Sequence, residues 1–173
     1  STKHGSAGVL GDLGCHIYDM AAYLAGPITS LTCSLKTFDK GIGKKRIGAY
    51  LLDANDSFVS TVHFKSGALG TVHSSRWATG HANREYLCVY GDQGTVEIDF
   101  EKGQAKLRYC ELHLDVWHEV DCPPTPNMQE RFITAIQTKK NDPSDFANGL
   151  LIQKVLAASE KSSKTGRPVA ITK

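Results

Sequence analysis

A chain of 173 residues carrying a formal charge of +2 at neutral pH has the length of one compact domain and is long enough to bury its own core. Its 40% hydrophobic and 22% charged residues are ordinary for a globular protein and exclude a disordered or collagen-like chain. Twenty basic against 18 acidic residues leave no electrostatic footprint for nucleic acid or an anionic membrane.

No run approaches the roughly 18 apolar residues of a membrane span. Residues 1–25 lack the basic start and apolar core of a signal peptide, so a cytoplasmic protein is expected. Cys15, Cys33, Cys88, Cys110 and Cys122 are widely spaced, without a Cys-x-x-Cys pair, and are read as reduced thiols. The chain starts Ser1-Thr2-Lys3 without a methionine and is expected to be an excised or processed piece of something longer.

A glycine-rich start (Gly5, Gly8, Gly11) leads into residues 12–25, where Leu13, Ile17, Met20, Ala21 and Leu24 repeat as one apolar face of a helix. Asp12 is the expected N-cap and Gly26-Pro27 the stop. From Ile28 to Asp121 short β-branched and aromatic runs alternate with turn signals. Residues 58–64 and 69–73, around Lys65-Ser66-Gly67, predict a hairpin. Residues 86–90 and 95–100, around Gly91-Asp92-Gln93-Gly94, predict a second. Ala105, Leu107 and Tyr109 alternate with polar neighbours in a further strand, and residues 115–120 make the last of the meander. Cys122-Pro123-Pro124-Thr125-Pro126 breaks it, with Thr125 as cap and Pro126 as the first residue of a helix running to about Lys139. Ser144 or Asp145 caps another helix ending near Gly166, and residues 168–172 predict a closing strand. The order predicts an α+β fold, an α/β two-layer arrangement of one open, mostly antiparallel sheet with helices on one face.

Asp12, His16 and Asp19 stand at i, i+4 and i+7 of the first helix, within about 60° of one another beside the apolar face, and Tyr23 continues their row. A histidine flanked by two carboxylates suits general acid/base catalysis: the imidazole titrates near neutrality, and a carboxylate fixes its tautomer and stabilises the imidazolium. Two other readings stay open at this point. His16 and an aspartate could share a metal, although nothing identifies a further ligand. Asp12 could equally be a simple cap paired with a surface histidine, with Asp19 solvated. Gly8, Gly11 and Gly14 bracket Asp12, small residues that would let a ligand or another backbone come close.

Neither glycine-rich stretch is a nucleotide-binding loop. Residues 5–14 carry Gly at every third position with too few residues ahead of them for a strand, and residues 41–48 miss both the dinucleotide and P-loop spacings. Residues 41–48 are read as a mobile basic loop between strands.

Residues 7–19, Ala7-Gly8-Val9-Leu10-Gly11-Asp12-Leu13-Gly14-Cys15-His16-Ile17-Tyr18-Asp19, resemble the Gly-Gly-x-x-x-Asp-x-Gly-x-His-x-x-Asp signature of the glucose-fructose oxidoreductase / inositol dehydrogenase / rhizopine-catabolism family. Tyr90-Gly91-Asp92-Gln93-Gly94-Thr95 resembles a hairpin of that family, and Phe146 to Leu150, continued to Gly166-Arg167-Pro168-Val169, resembles its C-terminal helix. The resemblance spans nearly the whole chain. It implies a dehydrogenase C-terminal domain, residues 1–173, that serves substrate binding and oligomerisation, with the N-terminal Rossmann domain for NAD or NADP absent from this chain. It implies His16 as the acid/base that takes a proton from a substrate hydroxyl, assisted by Asp12, and no metal. The family's catalytic lysine lies in a Glu-Lys-Pro motif, which does not occur here. Ala7 replaces the first glycine of the signature.

In that family the segment entering the second hairpin reaches the substrate or the subunit interface. Here it contains Arg76, Trp77 and His81, expected with Asp19 to contact a sugar, cyclitol or related polyol by hydrogen bonding and stacking. The alternative for Trp77 is an aromatic buried between subunits. The implied partners are the polyol, the Rossmann domain, and a second copy in a homodimer or tetramer joined through the sheet face away from the helices, where an exposed apolar patch is expected. The competing class is a non-catalytic oligomerisation or ligand-binding module of the same fold.

Overall fold

A computed structural model describes residues 1–3, 7–40 and 43–172. These residues form two compact units, one made of residues 1–77 with 143–173 and the other of residues 78–142. The readings placed on Gly5, Gly41 and Ile42 lie outside the described residues.

In the first unit a π-helical turn, Leu10–Gly14, runs into α1, Cys15–Ala25. The strands are β1 (Ile28–Lys36), β2 (Arg46–Ile47), β3 (Tyr50–Leu51), β4 (Ser57–Phe64) and β5 (Leu69–Ser75). In the second unit follow β6 (Glu85–Gly91), β7 (Gly94–Glu101), β8 (Gln104–Glu111), β9 (Trp117–Val120) and α2 (Met128–Thr138). The chain then returns to the first unit through α3 (Phe146–Thr165) and β10 (Val169–Ala170). Every strand pairing among the described residues is antiparallel. The strands make not one sheet but two of four strands, ordered β10-β1-β4-β5 and β6-β7-β8-β9, with β2-β3 as a separate ribbon. The ribbon's first strand, β2, falls within residues 41–48, read from sequence as a loop.

The core of the first unit follows from period-two burial. Leu31 and Cys33 of β1, Phe58, Val62 and Phe64 of β4, and Val72 of β5 are buried on one face, against Val155, Leu156 and Ala158 of α3. The opposite face carries exposed Thr32, Ser34, Val59, Thr61, His63, Thr71 and His73. β10 covers β1 only at Ser30 and Leu31. Beyond it the edge amides of Cys33 and Leu35 donate to Ser162 Oγ and Ser163 Oγ of α3, at 2.9 and 3.0 Å, which satisfies a row of groups that would otherwise invite another strand.

Several local expectations shift. Helical conformation begins before Asp12, at residues 8–9, so Asp12 is inside the π turn and caps nothing. The amides of Val9 and Leu10 donate instead to the backbone oxygen and side-chain Oδ1 of Asn55, both at 2.9 Å. The buried line of the helix is Leu10, Gly14 and Tyr18, while Leu24 is exposed. Tyr18 can be wholly buried because its hydroxyl donates to Ser159 Oγ at 3.0 Å, and Ser159 passes its own proton to Val155 O. The cap of α2 is Asn127, in a reciprocal pair with Glu130, one residue beyond Pro126. Asp145 caps α3, and Gly166 ends it in the left-handed region.

Burial pushes the Tyr18 phenol from 10.0 up to about 12, against the opposing effect of its hydrogen bond with Ser159. The folded state holds the neutral phenol, so its share of stability is whole below pH 10 and is lost as pH rises from 10 towards 12. Tyr18→Phe is expected to cost about 1 kcal/mol at neutral pH, from the broken hydrogen bond, and to flatten this alkaline loss. Denaturant titrations at both pH values measure it.

Candidate functional site

Asp12, His16 and Asp19 lie on one side of the first helix, and the π turn keeps residues four apart on that side. The structure gives them different partners. Asp12 Oδ2 is ion-paired with a guanidinium nitrogen of Arg76. Asp19 Oδ1 accepts from Asn148 Nδ2 of α3 at 2.7 Å. His16 is exposed and makes no hydrogen bond or ion pair among the described residues.

Arg76 is placed by the exit of β5. Its backbone N–H donates to Asp56 O at 2.9 Å, and the next amide, of Trp77, donates to Ser75 Oγ. Asp56 is buried, accepts from the Phe38 amide at 2.8 Å and is ion-paired with Lys40. Burial opposes its charge, but Lys40, the Phe38 amide and Arg76 outweigh that and hold the carboxyl below its usual range. Trp77 is 52% exposed and meets Phe38 edge-on, with ring centroids 5.8 Å apart. Its indole is therefore a braced, solvent-facing apolar surface.

His16 and Asp19 open onto a cleft of about 260 Å³ between α1 and the start of α3, shared with Cys15, Ser144, Asn148 and Gln153. Asp12 does not line it. His81 belongs to the second unit, in an exposed turn closed by its amide to Ala78 O, and is not among the residues that the first unit assembles. Among the described residues no cluster of three or more His, Cys, Asp or Glu is arranged to hold a metal.

Two of the glycines before His16, Gly8 and Gly14, prove to be packing positions. Gly8 has φ +69°, and a Cβ there would lie 2.5 Å from Asn55 O; one at Gly14 would lie 3.2 Å from the Phe58 ring. The room anticipated for a ligand or another backbone is taken by Asn55 and Phe58. Asn55 and Asn148 were not legible as site residues, since both act through partners far along the chain.

The sheet face away from α3, where an apolar patch is expected, is mostly Thr, Ser and His; an apolar face lies instead in the sheet of the second unit. Leu87 and Val89 of β6, Val96, Ile98 and Phe100 of β7, Leu107 and Tyr109 of β8, and Val120 of β9 share one face by register, and Val89, Val96, Tyr109 and Val120 are exposed. The other face is polar: Arg84 donates two hydrogen bonds to Asp99, and Arg108 pairs with Glu97 and lies over Trp117. No helix among the described residues is long and apolar enough to cross a membrane.

Residues 1–97 match the family model described as the GFO/IDH/MocA C-terminal domain. The chain is 27% identical over 181 aligned positions to the uncharacterized oxidoreductase YrbE of Bacillus subtilis strain 168, covering 96% of this chain and 49% of that protein. It is 28% identical over 109 positions to the levoglucosan dehydrogenase of Pseudarthrobacter phenanthrenivorans, covering 56% of this chain and 28% of the relative. Among solved structures, the oxidoreductase domain protein from Kribbella flavida superposes with a TM-score of 0.81 at 26% identity, covering 96% of this chain and 52% of that one. A levoglucosan dehydrogenase in complex with NADH and L-sorbose shares the fold, with a TM-score of 0.82 at 23% identity over 98% of this chain and 51% of that one. The chain spans about half the length, or less, of the curated relatives it matches.

Proposed function

The chain belongs to the GFO/IDH/MocA C-terminal domain family, and from that premise we propose that it is the substrate and oligomerisation domain of an NAD(P)-dependent oxidoreductase that oxidises a hydroxyl of a sugar, cyclitol or related polyol. The observation that carries the reading is His16: an exposed imidazole lining a cleft, flanked on its own helix by two carboxylates that other elements hold in place. The relatives named for an activity are oxidoreductases, one of them a levoglucosan dehydrogenase, and a solved levoglucosan dehydrogenase is a complex with NADH.

Asn55 packs against Gly8 and Phe58 against Gly14, so these two glycines leave no room for a dinucleotide, and the cofactor site is assigned to a separate Rossmann domain. When bound there, the nicotinamide supplies the hydride acceptor. In this chain His16 accepts the proton of the substrate hydroxyl as the carbonyl forms. Asp12 orients the substrate and Asp19 accepts a further hydroxyl. The outer N–H groups of Arg76 and the exposed face of Trp77 bind the polyol by hydrogen bonding and stacking. The apolar face of β6-β7-β8-β9 joins two copies.

The test is the full-length protein with NAD+ or NADP+ and a panel of cyclic polyols and sugars, followed by nicotinamide absorbance. Polyol-dependent reduction is expected, and none across the panel with either cofactor overturns the reading. The 173-residue chain alone is expected to bind neither nicotinamide cofactor in calorimetry.

A further inference from the structure

We infer that Lys40, by occupying the buried Asp56 carboxylate, is a positioning residue for the polyol subsite of Arg76 and Trp77; this rests on the substrate-binding role proposed for those two side chains. Asp56 uses its amide, its carbonyl and both carboxylate oxygens to hold two separate segments. Its amide donates to Lys36 O at 2.7 Å and its Oδ2 accepts the Phe38 amide at 2.8 Å, which ties down the chain leaving β1. Its carbonyl oxygen accepts the Arg76 amide at 2.9 Å, which ties down the chain leaving β5. Its Oδ1 is ion-paired with Lys40. The segment leaving β5 carries both subsite side chains: Trp77, braced edge-on by Phe38, and Arg76, paired with Asp12.

Asp56 is 7% exposed and the ammonium nitrogen of Lys40 is shut off from solvent. Burying two charges is expensive, and such a pair adds little stability over apolar residues of the same volume. Its value lies in what it leaves in place. Burial opposes the Asp56 charge, and Lys40 and Arg76 are among the groups that hold the carboxyl ionised. With Lys40 gone, Asp56 is a buried anion that competes with Asp12 for the Arg76 guanidinium and draws water to the Phe38 amide. Arg76 then leaves its place beside Asp12, and Trp77 loses its brace. The segment itself stays attached, because Thr37 Oγ1 also donates to Asp53 O and Ala54 O, both at 3.3 Å. What the ion pair decides is the setting of Arg76 and Trp77, and Lys40 acts through them without touching the polyol.

A displaced guanidinium or indole weakens ground state and transition state alike, so the loss falls on the KM of the polyol and spares kcat. The full-length protein, labelled with fluorotryptophan, reports the position of Trp77 directly, its fluorine resonance being assigned by its loss in Trp77→Phe. In Lys40→Met that resonance is expected to shift or broaden while the Trp117 resonance stays where it is. The polyol KM is expected to rise about tenfold, with kcat and the cofactor KM changed less than about twofold. Lys40→Arg keeps a cation for Asp56 and is expected to restore both readouts. An unmoved Trp77 resonance or an unchanged polyol KM in Lys40→Met overturns the inference, as does a Lys40→Arg variant no better than Lys40→Met. A fall in kcat matched by a rise in the cofactor KM also overturns it, since that marks a general loss of structure. Should Lys40→Met not fold, Lys40→Gln removes the charge while still donating to Asp56, and it is read in the same way. Should the unsubstituted protein oxidise no polyol, the proposed function has failed, and the Trp77 resonance alone then decides whether Lys40 positions this segment.

Discussion

His16→Ala in the full-length protein is expected to lower turnover by about 10² or more, with thermal stability changed by no more than about 0.5 kcal/mol. The two halves of this expectation come from the same observation. His16 is exposed and has no hydrogen bond or ion pair among the described residues, so its removal breaks no polar contact among them. What is lost, on the role proposed for His16, is a proton acceptor beside the reacting hydroxyl, an interaction made in the transition state and scarcely in the ground state. The loss should therefore appear in kcat, with KM changed far less. Steady-state kinetics with saturating cofactor, together with a melting curve, measure both. Near-normal turnover in a folded variant removes the role assigned to His16.

Gly8→Ala is expected to destabilise the protein by about 2–5 kcal/mol. About 1–2 kcal/mol comes from placing an L side chain at positive φ, and about 1–3 kcal/mol from overpacking. The new methyl group would meet the backbone N and O of Asn55 at 2.6 and 2.5 Å, atoms that cannot swing aside. Moving them breaks the bonds from Asn55 to Val9 and Leu10 that start the helix carrying His16. Gly166→Ala is the control. Gly166 has φ +65° with nothing within 4 Å of its would-be Cβ, so it carries the conformational cost alone. Denaturant unfolding of both variants separates the two contributions, and equal losses would show that the Asn55 contact is of no consequence.

The succession of elements was legible because its signals are local. Period-two alternation marked both hairpins, and the glycine turns between their strands fell where the structure places them. Gly26 and Gly166 ended their helices as expected. Errors arose where two local signals competed. Thr125 and Pro126 suggested the cap and first residue of a helix, yet the pair Asn127 and Glu130, a capping box legible in the sequence, begins the helix two residues later, at Met128. Asp12 had the chemistry of a cap, but the amides needing one were satisfied by Asn55, 45 residues away from Leu10. The apolar stripe of the first helix was misjudged because Tyr18 counts as half polar until its hydroxyl has a buried partner.

The sequence by itself determined that Asp12, His16 and Asp19 share one side of a helix, because that placement depends only on the pitch of the backbone and the spacing of the residues. It also carried the family resemblance that the comparison with known proteins upheld. Only the tertiary structure decided what each of the three faces. Arg76 reaches Asp12 across 64 residues of chain and Asn148 reaches Asp19 across 129. Spacing along a helix cannot report which strand end or helix start packs beside it. The charge on each side of His16 is set by that packing, one carboxylate meeting a cation and the other a neutral amide.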